Sequence, residues 1–396
     1  MFLLLLTLAS AQWTELRGSA PPQLVAQEEA QVPPMLSPAV YCQDSTNVYI
    51  YGGNNQMWIF EQNDRRWLWQ PNPPPAMIPR NQAAHWAIRD QMYLYGGLTA
   101  GGSSLADMWL YDKSARTFTS IVPQSSVTPG ACYGTSFWMH QPSNQLYLWG
   151  GTCDNKTNAE VYAFDVSLQQ WHHIVPTGEG PLGATNSAAV LSRDESQVFI
   201  YTNDELWIMD LNTYTWTKSA NGNSPPGPNR KYAIMWQSTT DDTIMLYGGI
   251  GGGRVFGDTW SYHPATSMWT SHGSKGPAAR WGASACTNKN GYAYLFGGTN
   301  MDNTPLFNDI WQYGPFNAHT ILDQIQWKLD SATIFSITSA VFGGVTFLCI
   351  LFLMIISCIR KCLNRKRTRN LLGSVNGGSK VVMMGQADID MDEDDF

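Results

Sequence analysis

Charge is scarce in this chain. Asp, Glu, Lys and Arg make up only 14% of its 396 residues, and the balance is acidic, with 24 Lys and Arg against 31 Asp and Glu. So little charge beside 17 Trp and 35 Gly argues against disorder, a coiled coil and a helix-rich enzyme built on Ala, Leu, Glu and Lys. A formal net charge of −7 offers no general attraction for phosphate backbones, so no nucleic-acid partner is expected. Metal motifs are missing as well. The seven His include no His-x-Glu and no His-Glu-x-x-His arrangement. Gly251-Gly252-Gly253 joins two β-rich runs and opens no helix, so it is not a phosphate loop. No cofactor, metal site or catalytic set follows, and the chain reads as a non-enzyme. What is abundant, Gly and aromatic rings, suits many short strands and turns, hence an all-β fold.

Long apolar runs are confined to two places. Phe2 to Leu8 is almost wholly apolar and runs into Ala9-Ser10-Ala11, the small-x-small pattern of a signal-peptidase site, although the segment is short and has no basic residues. Residues 1–11 are therefore expected to be a signal peptide, with Gln12 the first residue of the mature chain. The second run holds no charge between Asp330 and Arg360, which is longer than the roughly 20 residues a helix needs to cross a bilayer. Arg360, Lys361, Arg365, Lys366, Arg367 and Arg369 follow it directly, and the positive-inside rule places them in the cytoplasm. The expected partition is 12–314 ectodomain, 315–331 juxtamembrane segment, 332–359 transmembrane helix and 360–396 cytoplasmic tail. The tail turns from basic to acidic at Asp388 and is too short to bury a core, so it is expected to be disordered. Ser336, Ala340 and Gly344 space small residues four apart, which favours a homodimer through the helix. Localisation to the plasma membrane or another membrane of the secretory route follows.

Between these ends the chain repeats. A β-rich run ending in two glycines recurs as Tyr51-Gly52-Gly53, Tyr95-Gly96-Gly97, Trp149-Gly150-Gly151, Tyr247-Gly248-Gly249 and Phe296-Gly297-Gly298, with Tyr201-Thr202-Asn203 in the one gap. Downstream of the first five of these six runs lies an aromatic pair nine residues apart: Trp58 with Trp67, Trp109 with Phe118, Tyr162 with Trp171, Trp207 with Trp216, Trp260 with Trp269. A repeat of this length marks a propeller, whose four-stranded units cannot bury their faces alone. Large rings then fill the wedge between neighbouring units, and paired glycines leave room for close approach. The sixth unit has Trp311 but no aromatic nine residues later. Trp13, in Trp13-Thr14, matches Trp216-Thr217 and Trp269-Thr270, so the N-terminus is expected to supply the outer strand of the last unit.

An apolar run, Gly-Gly, then Tyr and Trp at a fixed distance resembles the kelch repeat, the propeller type of galactose-oxidase-like central domains. The resemblance spans about Trp13 to Tyr313. It implies a six-bladed kelch propeller and a role in recognition. Copper oxidases of this type need converging Tyr and His ligands, of which no strong signature is present.

Four cysteines precede the apolar span, an even number for an oxidising compartment: Cys42, Cys132, Cys153 and Cys286. Cys132 and Cys153 fall symmetrically about the turn Gln141-Pro142-Ser143-Asn144, so they should face each other on adjacent strands and bond. Cys42 and Cys286 precede their glycine pairs by similar distances and can bond only if the ring closes; two buried thiols are the alternative. Asn155-Lys156-Thr157 is a glycosylation sequon. Cys358 and Cys362 bracket the cytoplasmic membrane boundary and are candidates for palmitoylation.

One face of a propeller carries the second-to-third-strand and blade-to-blade connections, and here these are long: Arg17 to Pro34, Leu98 to Ala106, Ile250 to Gly257 and Thr299 to Leu306. Loops longer than a turn requires are where binding is grafted. Arg80, Arg230 and Arg280 follow Pro-containing segments at the starts of inner strands and are candidates for an anion-binding ring; the alternative is that they bond blade carbonyls. Arg254, on a Gly-rich loop, is the fourth ligand-face candidate. The ligand is expected to be a protein or a glycan, with the lipid bilayer as the second partner. An ectoenzyme with a site in the central channel, or a trafficking receptor, are the other readings.

Overall fold

The computed structural model describes residues 12–16, 39–41, 47–52, 56–62, 66–69, 74–220, 226–238, 241–287, 292–301 and 309–314. The expected signal peptide, juxtamembrane segment, membrane helix and tail lie outside these residues, as do Cys42, Gly53, Cys358 and Cys362. Among the described residues no helix is long and apolar enough to cross a membrane.

Among the described residues all regular structure is β. Six antiparallel sheets of four strands follow one another along the chain. Sheet one is Ala39–Tyr41, Asn47–Gly52, Gln56–Glu61 and Arg66–Trp69. Sheet two is Ala84–Ile88, Gln91–Tyr95, Met108–Asp112 and Thr117–Ile121. Sheet three is Ser136–His140, Gln145–Trp149, Val161–Asp165 and Gln170–Ile174. Sheet four is Ala188–Leu191, Gln197–Thr202, Glu205–Asp210 and Thr215–Lys218. Sheet five is Ile234–Gln237, Ile244–Tyr247, Thr259–His263 and Met268–Gly273. Sheet six takes Trp281–Thr287, Ala293–Thr299 and Ile310–Gly314 from the C-terminal side and its outer strand, Gln12–Leu16, from the other end of the chain. There Trp13 lies opposite Tyr313 and Glu15 opposite Trp311. The first strand of each sheet touches the first strands of the two neighbouring sheets, and the contact between Ala39–Tyr41 and Trp281–Thr287 closes the circuit.

The repeated rings account for this arrangement. In every sheet the outer-strand ring packs on the aromatic that precedes the glycine pair, or its counterpart, in the preceding sheet. The centroid distances are 5.9 Å for Phe118 on Tyr51, 4.9 Å for Trp171 on Tyr95 and 6.3 Å for Trp216 on Trp149. They are 5.8 Å for Trp269 on Tyr201, 5.1 Å for Trp13 on Tyr247 and 5.4 Å for Trp67 on Phe296. Tilted and edge-on pairs of this kind stabilise beyond their buried area. Trp13 thus occupies the slot between sheets five and six that Trp67 occupies between six and one.

The glycine pairs make the close approaches. At Gly96 (φ 64°) a Cβ would lie 2.3 Å from the Cys132 carbonyl oxygen of the next sheet, and at Gly97 (φ 104°) 2.8 Å from the Asn81 carbonyl of its own. The Gly97 N–H donates to the Cys132 carbonyl across the seam (2.8 Å), as Gly151 does to Ala184 and Gly249 to Arg280. A side chain at either position is excluded both by left-handed backbone and by the main chain packed against it.

Candidate functional site

The two ends of the ring differ. In sheets two, three and four the turns between third and fourth strands are tight and Asp-capped: Asp112 accepts from the Ala115 N–H, Asp165 from Ser167 and Leu168, Asp210 from Asn212 and Thr213. The connections from second to third strand are elaborated in sheets three and five, whereas in sheet four Thr202 pairs directly with Glu205 across a tight turn. Ile250–Gly251 and Arg254–Val255 form a two-stranded ribbon around Gly252 and Gly253. After Gly151, Thr152–Cys153 pairs with both Cys132–Tyr133 and Lys156–Thr157.

That second ribbon carries the cysteines. Cys132 lies opposite Cys153 with Cα atoms 4.0 Å apart, and their sulfurs are bonded. The pairing matches the sequence expectation, but the two residues stand on short strands of their own beyond the main ladder, not on Ser136–His140 and Gln145–Trp149. Cys286 is also disulfide-bonded, while its expected partner, Cys42, lies outside the described residues. Asn155 and Thr157 are exposed, Asn155 in the left-handed turn at the ribbon tip, where a glycan has room.

The arginine ring is not where charge meets solvent. Arg80, Arg230 and Arg280 are 2%, 2% and 1% exposed. Each guanidinium forks onto an aspartate immediately before the third strand of its own sheet: Arg80 on Asp107, Arg230 on Asp258 and Arg280 on Asp309. Each also donates to the carbonyl of the first glycine of the pair, Gly96, Gly248 or Gly297. A further backbone carbonyl, of Ile78, Pro226 or Ala278, takes the Nε–H. With its donors spent inside the sheet, none of the three serves a ligand, and the anion-binding expectation for Arg80, Arg230 and Arg280 is corrected to a structural clamp. Burial opposes ionisation of Asp107 and Asp258, but hydrogen bonds from the arginine and from a Trp indole outweigh it, so both carboxyls sit below their ordinary range.

Sequence reasoning missed the acid half of the clamp, although its signal was present. An acid stands two residues before the third-strand ring in Asp107-x-Trp109, Glu160-x-Tyr162, Glu205-x-Trp207, Asp258-x-Trp260 and Asp309-x-Trp311. In four of these the ring is Trp, and its Nε1–H donates back to the acid at 2.6 to 3.1 Å. Cys132 and Ala184 occupy the arginine position in sheets three and four. There the acid is the longer Glu and turns to the outer strand, Glu160 to His173 and Glu205 to Lys218, both at 2.5 Å.

Arg254 differs from the other three. It is exposed at the edge of its ribbon, its guanidinium carbon 4.6 Å from the centre of the Phe256 ring, which packs against Arg230 at 3.8 Å. Among the described residues it has no carboxylate within ion-pair reach.

At the centre of the ring a cavity of about 180 Å³ is lined by the first strands of sheets two to six and the residues before them. Its rim is built from one position in each of sheets two to six, two residues after the arginine position: Gln82, Gly134, Asn186, Tyr232 and Gly282, all left-handed with φ between 54° and 69°. Their main chains bond head to tail around the rim. Gly134 N–H donates to Gln82 C=O at 3.0 Å, Asn186 to Gly134 at 2.7 Å, Tyr232 to Asn186 at 2.8 Å and Gly282 to Tyr232 at 3.4 Å. Among the described residues no three His, Cys, Asp or Glu side chains converge as a metal set.

The KLHDC2/KLHL20/DRC7 Kelch-repeats domain model matches this chain over residues 3–202 and 141–328. The chain belongs to the kelch-repeat family. Among similar kelch proteins, Kelch domain-containing protein 3 of Rattus norvegicus is 26% identical over 268 residues, 58% of this chain and 66% of that protein. Acyl-CoA-binding domain-containing protein 5 of Arabidopsis thaliana is 27% identical over 248 residues, 58% of this chain and 37% of that one. The matches thus take in only part of each relative's length. Among solved structures, YjhT shares the fold with a TM-score of 0.59 at 17% identity, over 72% of this chain and 98% of its own.

Proposed function

We propose that this kelch protein is a single-pass type I membrane receptor or adhesion molecule. Its six-bladed propeller, residues 12–314, stands on the lumenal or extracellular side and binds a protein or glycan with the face bearing the long connections. The six four-stranded sheets, their closed circuit and the Trp13 strand support the blade count. The apolar run after Asp330 with its basic stop, the bonded cysteines and the exposed sequon at Asn155 support the topology. One observation carries the binding role: of the four candidate arginines only Arg254 presents its guanidinium outward, held in place by the Phe256 ring and neutralised by no acid of its own chain among the described residues. A fixed, unneutralised cation on an elaborated loop is a contact waiting for a partner.

The test displays the full chain with a C-terminal tag on cells. Arg254→Glu is expected to lower cell or ligand binding with surface expression unchanged, and protease added to intact cells is expected to spare the tag. Unaltered binding, with loss instead from changes in the tight turns at Asp112 or Asp210, would place recognition on the other face.

A further inference from the structure

Resting on the reading that residues 1–11 are removed as a signal peptide, we infer that Gln12 is converted to pyroglutamate and that this modification caps the strand closing the ring. Cleavage after Ala9-Ser10-Ala11 makes a glutamine the first residue of the mature chain. Its α-amine then lies within reach of its own side-chain amide. The amine nitrogen attacks Cδ, the new N–Cδ bond closes a five-membered lactam, the Cδ–Nε2 bond breaks, and one amine hydrogen leaves with Nε2 as ammonia. The step is intramolecular and consumes no oxidant, reductant or second reactant.

The fold leaves this residue free to react. Gln12 opens the strand Gln12–Leu16 and is exposed, whereas Thr14 and Leu16 of the same strand are buried. Among the described residues its side-chain amide has no hydrogen-bond partner. Its partner across the ladder, Gly314, carries no side chain that could bond the amide or bar the ring. Anchoring begins one residue later. The Trp13 indole donates to Thr259 Oγ1 at 2.9 Å, its ring lies on Trp236, Tyr247 and Tyr313, and Gly276 approaches it so closely that no Cβ would fit. The strand is therefore held from Trp13 inward, while residue 12 stands at its solvent end.

That placement gives the modification its consequence. Sheets one to five each take four successive strands of the chain, so their outer strands are held by connections at both ends; sheet six alone takes its outer strand from the far end of the sequence. Chain ends fray first. A free amine at Gln12 is a starting point for an aminopeptidase, and the second residue such an enzyme would remove is Trp13, the ring that fills the slot between sheets five and six. A lactam offers no free amine to these enzymes. It also removes a group that otherwise titrates at about 7.7–8.0, so the closed end of the strand is neutral at every physiological pH.

The full chain is expressed in cells with a secretory route, and its free amines are dimethylated before digestion so that cyclisation during handling cannot be mistaken for the native state. Mass spectrometry should find a first peptide that begins at residue 12, carries no label on its α-nitrogen and is lighter by one ammonia than the glutamine form. Gln12→Asn keeps an exposed amide but could close only a strained four-membered ring, so it should be labelled at residue 12 and melt like wild type. After incubation with an aminopeptidase, the Gln12→Asn protein should lose residues 12 and 13 and melt roughly 6–12 °C lower, the shift expected for one large ring, while wild type is unchanged. A labelled, full-mass Gln12 in wild type would overturn the inference and leave the topology standing. A first peptide that begins anywhere else would overturn the cleavage site and the inference with it. Equal trimming or equal resistance of the two proteins would overturn the capping role.

Discussion

Removing the Trp13 ring tests how the circuit is closed. The indole meets Tyr313 of its own sheet at 5.0 Å and Trp236 and Tyr247 of sheet five at 5.5 and 5.1 Å, and its N–H donates to Thr259 Oγ1 at 2.9 Å. A fully buried Trp→Ala change costs about 3–5 kcal/mol. Trp13 keeps partial exposure, so the lower end, about 3 kcal/mol, is expected from lost packing and the orphaned Thr259 hydroxyl. At ~2–4 °C per kcal/mol for a domain of this class, thermal unfolding of the full chain, followed by near-ultraviolet circular dichroism, should shift down by roughly 6–12 °C. Trp13→Phe keeps a ring and loses only the indole N–H, so its cost should be about 1 kcal/mol. Trp67→Ala, in the equivalent but fully buried slot against Phe296, sets the scale. A Trp13→Ala shift under about 2 °C beside a large Trp67→Ala shift would refute the reasoning.

The clamps predict an acid dependence. Folding depresses the carboxyl pKa values of Asp107 and Asp258, so their contribution is fully present above the unfolded carboxylate pKa, about 3.9, and is lost as pH falls through the lower folded values. Asp258→Asn leaves the buried Arg230 charge without its partner and should cost about 3 kcal/mol at neutral pH, while flattening the fall in stability below about pH 4; an unchanged acid profile would count against the clamp. Replacing Cys132 and Cys153 together by Ser opens a loop with a separation of 21 residues and should lower stability by up to about 3 kcal/mol, and mass spectrometry of unreduced peptides should find the wild-type pair linked.

The fold was legible because its determinants are large and periodic. A ring nine residues after another ring, and Gly-Gly after an apolar run, are steric requirements that few residue types satisfy, so Trp13 could be placed from its spacing alone. The clamp was not legible from the arginines alone. Arg80, Arg230 and Arg280 read equally as ligand contacts or as loop anchors until their acids are found, and each acid lies 27 to 29 residues away, beyond any local pattern. The rim was hidden for another reason. Left-handed backbone at Gly134 and Gly282 is unremarked in sequence, and at Gln82 and Tyr232 it is imposed by closure of the circuit against intrinsic preference.

Sheets three and four show how the clamp can be exchanged without losing the fold. Where Arg gives way to Cys132, the link from the start of the first strand to the second-to-third connection becomes covalent, through Cys153. The acid this frees, Glu160, is carried to the outer strand and His173. Where Arg gives way to Ala184, no link replaces it, the glycine pair is also missing at Thr202-Asn203, and Glu205 is held by Lys218 instead. The clamp and the glycine pair fail together in sheet four because the arginine bonds the carbonyl of the first glycine; without that carbonyl in place the guanidinium would be a buried charge with unsatisfied donors. Sheet five keeps both, and there the side chain above the clamp, Phe256, supports a second arginine that points outward. The outward-pointing cation is therefore built on the one that holds the sheet: Arg230 packs on Phe256, and Phe256 on Arg254.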